Sequence, residues 1–432
     1  MRYIFLVLFF PFLGMAAKKI KPPVPSNAVA SFSKIRPLLY QIRTASDQNA
    51  AKSSYGTGFV IRKDGWLMTN FHVVADAVWS TKTEKVFVRD GDQLLPAEVI
   101  AVDVVHDLAI VQVPKTFPRT VPFSKEEPKH GETLFSLGLP KDLDWTVITG
   151  TYNGQLTQGP YSLMHLTTPL NKGMSGGPTV NEKSELVGVN VSGLTAAQNI
   201  SFAEPLKYVY QLMDLAAANP AKTEQDLMDQ MHTQLVKVQK SLTTDILNSM
   251  DHLKKLQGWK VPTIYPLIKC WGESINGSKD KYEETSENCE MENSAYMDDD
   301  FDTGSIRWDF RFFRNRNLSI RQYRRLLNDY WKKPRRTRDQ LYDRTAILNY
   351  GPFRCSRHLI LVEKRNIQIE ICSRAMTPFS DLFESHIKLS RTDLNQKSFF
   401  SYLILDGFKE KNILEITEKM VGTLGVGTDA QN

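Results

Sequence analysis

The sequence predicts an all-β region, sandwich or barrel, over residues 37–205, followed by amphipathic helices and then a disulfide-containing α+β unit. Three observations carry this reading. From Leu38 to Glu204, short β-branched and aromatic runs recur between Gly, Asp and Asn, as in Gly58-Phe-Val-Ile-Arg, Lys85-Val-Phe-Val-Arg and Leu108-Ala-Ile-Val-Gln-Val. That is the spacing of consecutive short strands. After Pro205 no glycine occurs up to Gln257, and apolar residues return every three or four positions, the period of a helix with one buried face. All four cysteines then fall in a block where strand-like and helix-like runs mix. A chain of 432 residues exceeds the size at which one hydrophobic core keeps growing, so more than one unit is expected.

At the start of the chain, Met1-Arg2-Tyr3 is followed by an almost wholly apolar Ile4 to Leu13 and by the small residues around Gly14-Met15-Ala16. This is the layout of a cleavable secretory signal over residues 1–16. The alternative, an uncleaved anchor, would need an apolar run of ~20 residues, so a soluble exported protein with no membrane span is expected. Residues 17–36, which begin Ala17-Lys-Lys-Ile-Lys-Pro-Pro-Val-Pro and continue mostly with small side chains, read as a linker. Within the β region, Lys63-Asp64-Gly65 and Asp90-Gly91-Asp92 offer the positive φ of tight turns. Residues 206–257 read as helices with Leu227, Met231, Leu235, Val238, Leu242, Ile246, Met250 and Leu253 on the buried face.

Residues 258–432 carry strand-like runs, Leu359-Ile-Leu-Val-Glu, Ile367-Gln-Ile-Glu-Ile and Tyr402-Leu-Ile-Leu, among helical stretches, and suggest a separate α+β domain. In an exported chain Cys270, Cys289, Cys355 and Cys372 are expected to pair. Sequence leaves three connectivities open, with local pairing, Cys270–Cys289 and Cys355–Cys372, preferred. Zinc is the alternative, but the Cys-x-x-Cys knuckle is missing. An acidic run from Glu283 to Asp302 with nine Asp/Glu precedes a basic run from Arg307 to Arg344 with thirteen Lys/Arg; solvated faces and a loop are the preferred reading, and attraction between the two runs is the other. The whole-chain balance of 54 basic against 48 acidic residues, net +6, is too slight for a dedicated nucleic-acid binder.

Three segments carry chemistry together. Thr69-Asn-Phe-His-Val-Val places His72 at the end of an expected strand, Val105-His-Asp-Leu-Ala-Ile-Val places Asp107 at the start of another, and Gly173-Met-Ser-Gly-Gly-Pro places Ser175 in a glycine-rich turn. A serine hydroxyl becomes a nucleophile when a neutral imidazole takes its proton. The imidazole in turn needs a carboxylate to fix its tautomer and stabilise its charged form. The glycines let the N–H groups of Gly173 and Ser175 converge on the oxyanion of a tetrahedral intermediate. Each segment alone is commonplace; their conjunction in one β-rich region is the signal.

At these residues the chain resembles the chymotrypsin-fold serine proteases, and more closely the HtrA/Deg-type trypsin-like proteases. The match runs through Gly56-Thr-Gly-Phe-Val-Ile, Gly65-Trp-Leu-Met-Thr-Asn-Phe-His-Val-Val, Asp107-Leu-Ala-Ile-Val, Gly173-Met-Ser-Gly-Gly-Pro, Leu186-Val-Gly-Val-Asn and Ser201-Phe-Ala-Glu-Pro. The resemblance implies two six-stranded β-barrels with catalytic His72, Asp107 and Ser175 in the cleft between them, and Asn190, Val191 and Ser192 as a substrate-binding strand. The chain departs from the family where Thr167 replaces the usual Asp, and where Lys172 and Met174 replace the usual Pro and Asn. A PDZ domain is not recognisable after Pro205.

The expectation is therefore an exported serine endopeptidase, periplasmic or secreted, acting on protein or peptide substrates. It uses no cofactor and no metal and has no nucleic-acid partner. Pro169, Leu170 and Val191-Ser192 supply no carboxylate to select Lys or Arg, so small or medium apolar side chains are expected at the cleavage site. The alternative is a binding protein built on a protease scaffold, in which the helical and Cys-containing half holds the cleft closed or recruits a partner.

Overall fold

The computed structural model describes residues 26–47, 51–79, 83–193, 200–257, 259–264, 267–277, 281–298, 301–332, 350–362, 365–392 and 397–424. The signal expected at 1–16 lies outside them. Part of the expected linker is instead a helix, α1 (Ser26–Ile35). Its Ala28 and Ile35 are buried, Lys34 Nζ donates to Lys183 O at 3.0 Å, and the Ser31 and Ser184 hydroxyls meet at 3.1 Å. Docking, rather than local propensity, makes this helix.

The next twelve strands form two closed six-stranded antiparallel barrels. The first contains β1 (Leu39–Ala45), β2 (Ser54–Arg62), β3 (Trp66–Thr69), β4 (Lys85–Asp90), β5 (Gln93–Asp103) and β6 (Leu108–Gln112) in the order β1-β2-β3-β6-β5-β4. Between β3 and β4 runs helix α2 (Phe71–Trp79). The second barrel contains β7 (Thr133–Gly138), β8 (Thr146–Gln158), β9 (Tyr161–Leu166), β10 (Pro178–Val180), β11 (Leu186–Gly193) and β12 (Ser201–Pro205) in the order β10-β11-β12-β9-β8-β7. Closure leaves no edge strand to be protected.

Two helices follow, α3 (Leu206–Ala218) and α4 (Glu224–Ser249). Helix α4 starts with a capping box: the Asp226 N–H donates to Thr223 Oγ1 at 3.2 Å and the Thr223 N–H to Asp226 Oδ2 at 2.9 Å. The predicted face from Leu227 to Met250 is buried, but Leu253 lies in strand β13 (Leu253–Leu256), paired with β14 (Trp259–Pro262), and is exposed. Helix α4 crosses between units. Gln230 and Gln234 accept from the Val102 and Val104 N–H groups at 3.1 and 2.9 Å, while Val238, Leu242 and Ile246 join the C-terminal core.

That core lies against a seven-stranded antiparallel sheet. Its strands are β15 (Lys269–Gly277), β16 (Tyr282–Glu290), β19 (Ser305–Asn315), β20 (Arg354–Val362), β21 (Arg365–Ala375), β22 (Phe383–Thr392) and β23 (Lys397–Phe408), ordered β15-β16-β19-β23-β22-β21-β20. A separate hairpin, β17 (Ala295–Asp298) and β18 (Phe301–Thr303), sits between β16 and β19. Helices α5 (Ile320–Lys332) and α6 (Glu410–Leu424) complete the described chain. The acidic and basic runs meet in the sheet rather than standing as separate solvated faces: β16 and β19 are neighbours, with Glu284 paired to Arg311 and Glu283 to Arg316.

Cys270–Cys289 and Cys355–Cys372 are disulfides. Each joins residues directly opposite across a hairpin, β15 to β16 and β20 to β21. Among the described residues, the group of potential metal ligands is Cys270, Glu287 and Cys289. Both of its sulfurs are in a disulfide, so the zinc alternative has no thiolate there.

The C-terminal unit is not separate in its packing, in contrast to the expected independent domain. Ala295, Met297 and Phe301 of the β17–β18 hairpin, with Met376, Phe379 and Leu382, share one buried cluster with Phe71, Val74 and Val78 of α2 and with Leu227, Met231 and Leu235 of α4. Apolar area on the first barrel that would otherwise face water is covered by the second half of the chain.

Candidate active site

His72 stands in the first turn of α2 rather than at a strand end. Its neighbour Asn70 donates from Nδ2 to the Asp107 carbonyl at 2.7 Å, and the Phe71 N–H donates to the same carbonyl at 3.1 Å. The Asp107 carboxylate then takes both sides of His72: Oδ1 accepts the His72 backbone N–H at 2.8 Å and Oδ2 lies 2.6 Å from Nδ1. Nδ1 is thereby committed to the carboxylate, and Nε2 lies on the opposite side of the ring.

Asp107 has φ +48°, a left-handed conformation that Asp tolerates better than most residues. The turn that presents it is built by Asp103. Its Oδ1 accepts the Val105 and His106 N–H groups, both at 3.1 Å, and its Oδ2 lies 2.7 Å from His106 Nδ1. The His106 ring is stacked on Tyr208 of α3. Sequence reasoning assigned no role to Asp103 or His106; the signal available was a carboxylate at the end of β5 within a few residues of the candidate Asp107.

Ser175 is held by a loop that bridges the barrels. From the first barrel, the Thr57 N–H donates to Ser175 O at 2.8 Å and Thr57 Oγ1 donates to Gly173 O at 2.7 Å. From the second, the Gly176 N–H donates to Asn190 O at 2.9 Å. Thr57 is therefore the residue that locks the serine loop to the histidine barrel, and sequence reasoning missed it despite the glycines on either side of it. The Lys141 N–H donates to Lys172 O at 2.8 Å, which fixes the 172–173 peptide. In a trans peptide the carbonyl and the following N–H point opposite ways, so the Gly173 N–H is turned away from Lys141. The Gly173 and Ser175 N–H groups are thus both donors with no acceptor among the described residues.

The Ser175 hydroxyl donates to Val191 O at 2.8 Å. Of the expected substrate-binding residues, Asn190 needs correction. Its side chain is fully buried, donating to Leu137 O at 3.0 Å and Met174 O at 3.3 Å and accepting from Thr179 Oγ1 at 2.5 Å. Its backbone N–H and C=O are taken by Gly177 O and the Gly176 N–H. Asn190 is a buttress for the serine loop, its side chain turned into the core. The register between β11 and β12 shifts between Asn190 and Gly193, so Val191 and Ser192 stand at an irregularity of the ladder. Of the Ser192 side chain nothing is described.

Glu204 on β12 is 3 % exposed, and its Oε2 has no hydrogen-bond partner among the described residues. Burial, then the nearby Asp103 and Asp107 carboxylates, push its carboxyl well above the usual range, against an opposing pull from Lys207.

Residues 56–189 match the trypsin-like peptidase domain family. Among curated relatives, a probable periplasmic serine endoprotease, DegP-like, of Ectopseudomonas mendocina is 31% identical over 186 residues, covering 41% of this chain and 38% of that protein. The putative serine protease HhoB of Synechocystis is 31% identical over 161 residues, covering 35% of this chain and 38% of the relative. The chain thus spans well under half the length of these relatives. A solved structure of a serine endoprotease from Yersinia pestis aligns at a TM-score of 0.39 with 23% identity, covering 45% of this chain and 68% of that one.

Proposed function

We propose that this chain is an exported serine endopeptidase in which Ser175 is the nucleophile, His72 the general base and then acid, and Asp107 the residue that orients His72. The observation that carries the reading is the coincidence, in one trypsin-like peptidase domain, of the bidentate Asp107–His72 contact and a serine loop whose Gly173 and Ser175 N–H groups are unoccupied.

In this reading the Ser175 side chain rotates from Val191 O toward His72 Nε2 as substrate binds. Nε2 takes the hydroxyl proton while Oγ bonds to the scissile carbonyl carbon, and the carbonyl π pair moves onto oxygen. The Gly173 and Ser175 N–H groups hold that oxyanion. Imidazolium then gives its proton to the leaving amine as the C–N bond breaks, leaving an acyl-enzyme. Water, deprotonated by His72, attacks the ester, and Ser175 regains its proton when the acid product leaves. Asp107 keeps its negative charge throughout. The polypeptide substrate, the export route suggested by residues 1–16 and a periplasmic or secreted location are part of the same proposal, supported by relatives named as periplasmic endoproteases.

The alternative, a binding protein on this scaffold, is favoured by one observation, the Ser175 hydroxyl satisfied by Val191 O rather than directed to His72. A fluorophosphonate probe decides. Stoichiometric labelling that is lost in Ser175→Ala supports the peptidase, and absence of labelling in the folded wild-type chain overturns it.

A further inference from the structure

The β17–β18 hairpin belongs to the C-terminal half in sequence but lies against the catalytic histidine. The Tyr296 ring sits edge-on to the His72 ring with centroids 5.8 Å apart and planes at 68°, and stands 6.3 Å from Phe71 at 75°. Ala295 and Met297 are buried in the cluster shared with α2, and Tyr296 between them is half-buried, packing on the edge of that cluster at Phe71 and reaching the His72 ring.

The hairpin is fixed to both barrels. From the first, Trp79 at the end of α2 donates Nε1–H to Met297 O at 2.5 Å. From the second, the buried Tyr161 of β9 donates its hydroxyl to Gly304 O, just beyond β18, at 2.7 Å. Phe301 is buried in the α2 cluster, and the Ser294 hydroxyl bonds Asp302 across the hairpin base. A strand anchored at both ends by buried contacts is a wall rather than a mobile flap.

Resting on the peptidase reading, we propose that Tyr296 is a specificity-determining residue, and that the C-terminal half supplies the side of the substrate cleft next to His72. A bound polypeptide with its scissile carbonyl between Ser175 Oγ and the two N–H donors must run past the imidazole, of which about a quarter of the side-chain surface (26%) is exposed. The substrate side chain lying beside the imidazole meets the Tyr296 ring. The substrate class is therefore an extended polypeptide with a small side chain, Gly, Ala or Ser, at that position, because a Leu or Phe would have to displace a ring held by a fixed strand. No role for the C-terminal half in substrate selection follows from the barrels alone.

The test uses the full chain and an internally quenched peptide library varied at each position flanking the cleaved bond. Wild type, Tyr296→Ala, Tyr296→Phe and Tyr296→Trp are each scored by the ratio of kcat/KM for Ala against Leu and Phe. At one position wild type and Tyr296→Phe should prefer Ala by about 10-fold or more, a typical discrimination for a few methylenes. Tyr296→Ala should lose that preference and Tyr296→Trp should sharpen it. Fluorophosphonate labelling of each variant reports whether the catalytic site is assembled. If Tyr296→Ala labels and keeps the wild-type ratios at every position, the proposal is overturned. If Tyr296→Ala does not label, Tyr296→Trp decides: a sharper preference supports the wall, and unchanged ratios overturn it. Wild type that neither labels nor cleaves refutes the peptidase reading itself, a result distinguishable from a cleaving enzyme indifferent to Tyr296.

Discussion

Replacing Gly173 by Ala tests the proposed oxyanion site with one methyl group. Gly173 has φ +96°, a region in which L-residues are strained by about 1–2 kcal/mol. An added Cβ would lie 2.3 Å from Leu139 O and 2.9 Å from Tyr55 Cε2. The Leu139 contact is with backbone, so the loop must yield. The accessible relief is rotation of the 172–173 peptide, which breaks the 2.8 Å Lys141 N–H to Lys172 O bond and swings the Gly173 N–H out of the site. Loss of one oxyanion donor costs about 3 kcal/mol of transition-state stabilisation, so kcat should fall about 100- to 1,000-fold, with a smaller change in KM. Gly91→Ala is the control: its φ is +61° but a Cβ there meets nothing within 4 Å, so it should lower thermal stability by the backbone strain alone and leave kcat near wild type. The assay is steady-state peptide hydrolysis paired with a thermal melt of each variant. Gly173→Ala with wild-type kcat in a folded protein would refute the assignment of its N–H.

Asn190→Ala should cost about 3 kcal/mol of stability and reduce kcat more than it changes KM, since three hydrogen bonds behind the serine loop, to Leu137 O, Met174 O and Thr179 Oγ1, are lost, Met174 O keeping the Gly177 N–H and Thr179 Oγ1 the Ser136 hydroxyl; a pure KM effect would restore a substrate-contact role. Glu204, with its folded-state pKa raised, contributes stability that is fully present below the ordinary Glu range and is lost as pH rises through the raised value. Glu204→Gln should therefore become more stable relative to wild type as pH rises from 5 to 8, with a slope of at most about 1.4 kcal/mol per pH unit; parallel melting-temperature profiles would contradict this. Reducing the disulfides, with sequence separations of 19 and 17, should remove about 3 kcal/mol each. Hydrogen exchange should then rise first in β15–β16 and β20–β21, and uniform acceleration across the barrels would count against local stapling.

Sequence alone determined the elements whose cause is local. Turn glycines and short β-branched runs marked the barrel strands, and the apolar spacing from Leu227 to Ile246 marked the buried face of α4. The candidate catalytic side chains His72, Asp107 and Ser175 were named because each sits in a short segment whose chemistry can be recognised in isolation. The preferred cysteine pairing was legible because each pair lies close in sequence, and the structure has both bridges. The start of α2 was not legible: Phe71 to Val78 is a short apolar stretch, and such runs suit a buried strand or a buried helix equally.

Tertiary structure decided what depends on direction and on distant chain. Whether Asn190 faced substrate or core turned on which side of β11 it occupied, and a strand's sequence does not specify which face is inward when both are apolar. Helix α1 formed where the composition read as a linker, because Ala28 and Ile35 found a surface to bury against. The contacts of Thr57 with the serine loop and of Tyr296 with His72 were invisible for the same reason. Thr57 acts on a serine loop in the other barrel, and Tyr296 reaches His72 only because the C-terminal hairpin buries Ala295 and Met297 against α2. Hydrogen-bond direction and apolar complementarity between segments remote in sequence exist only once the chain has brought their surfaces together.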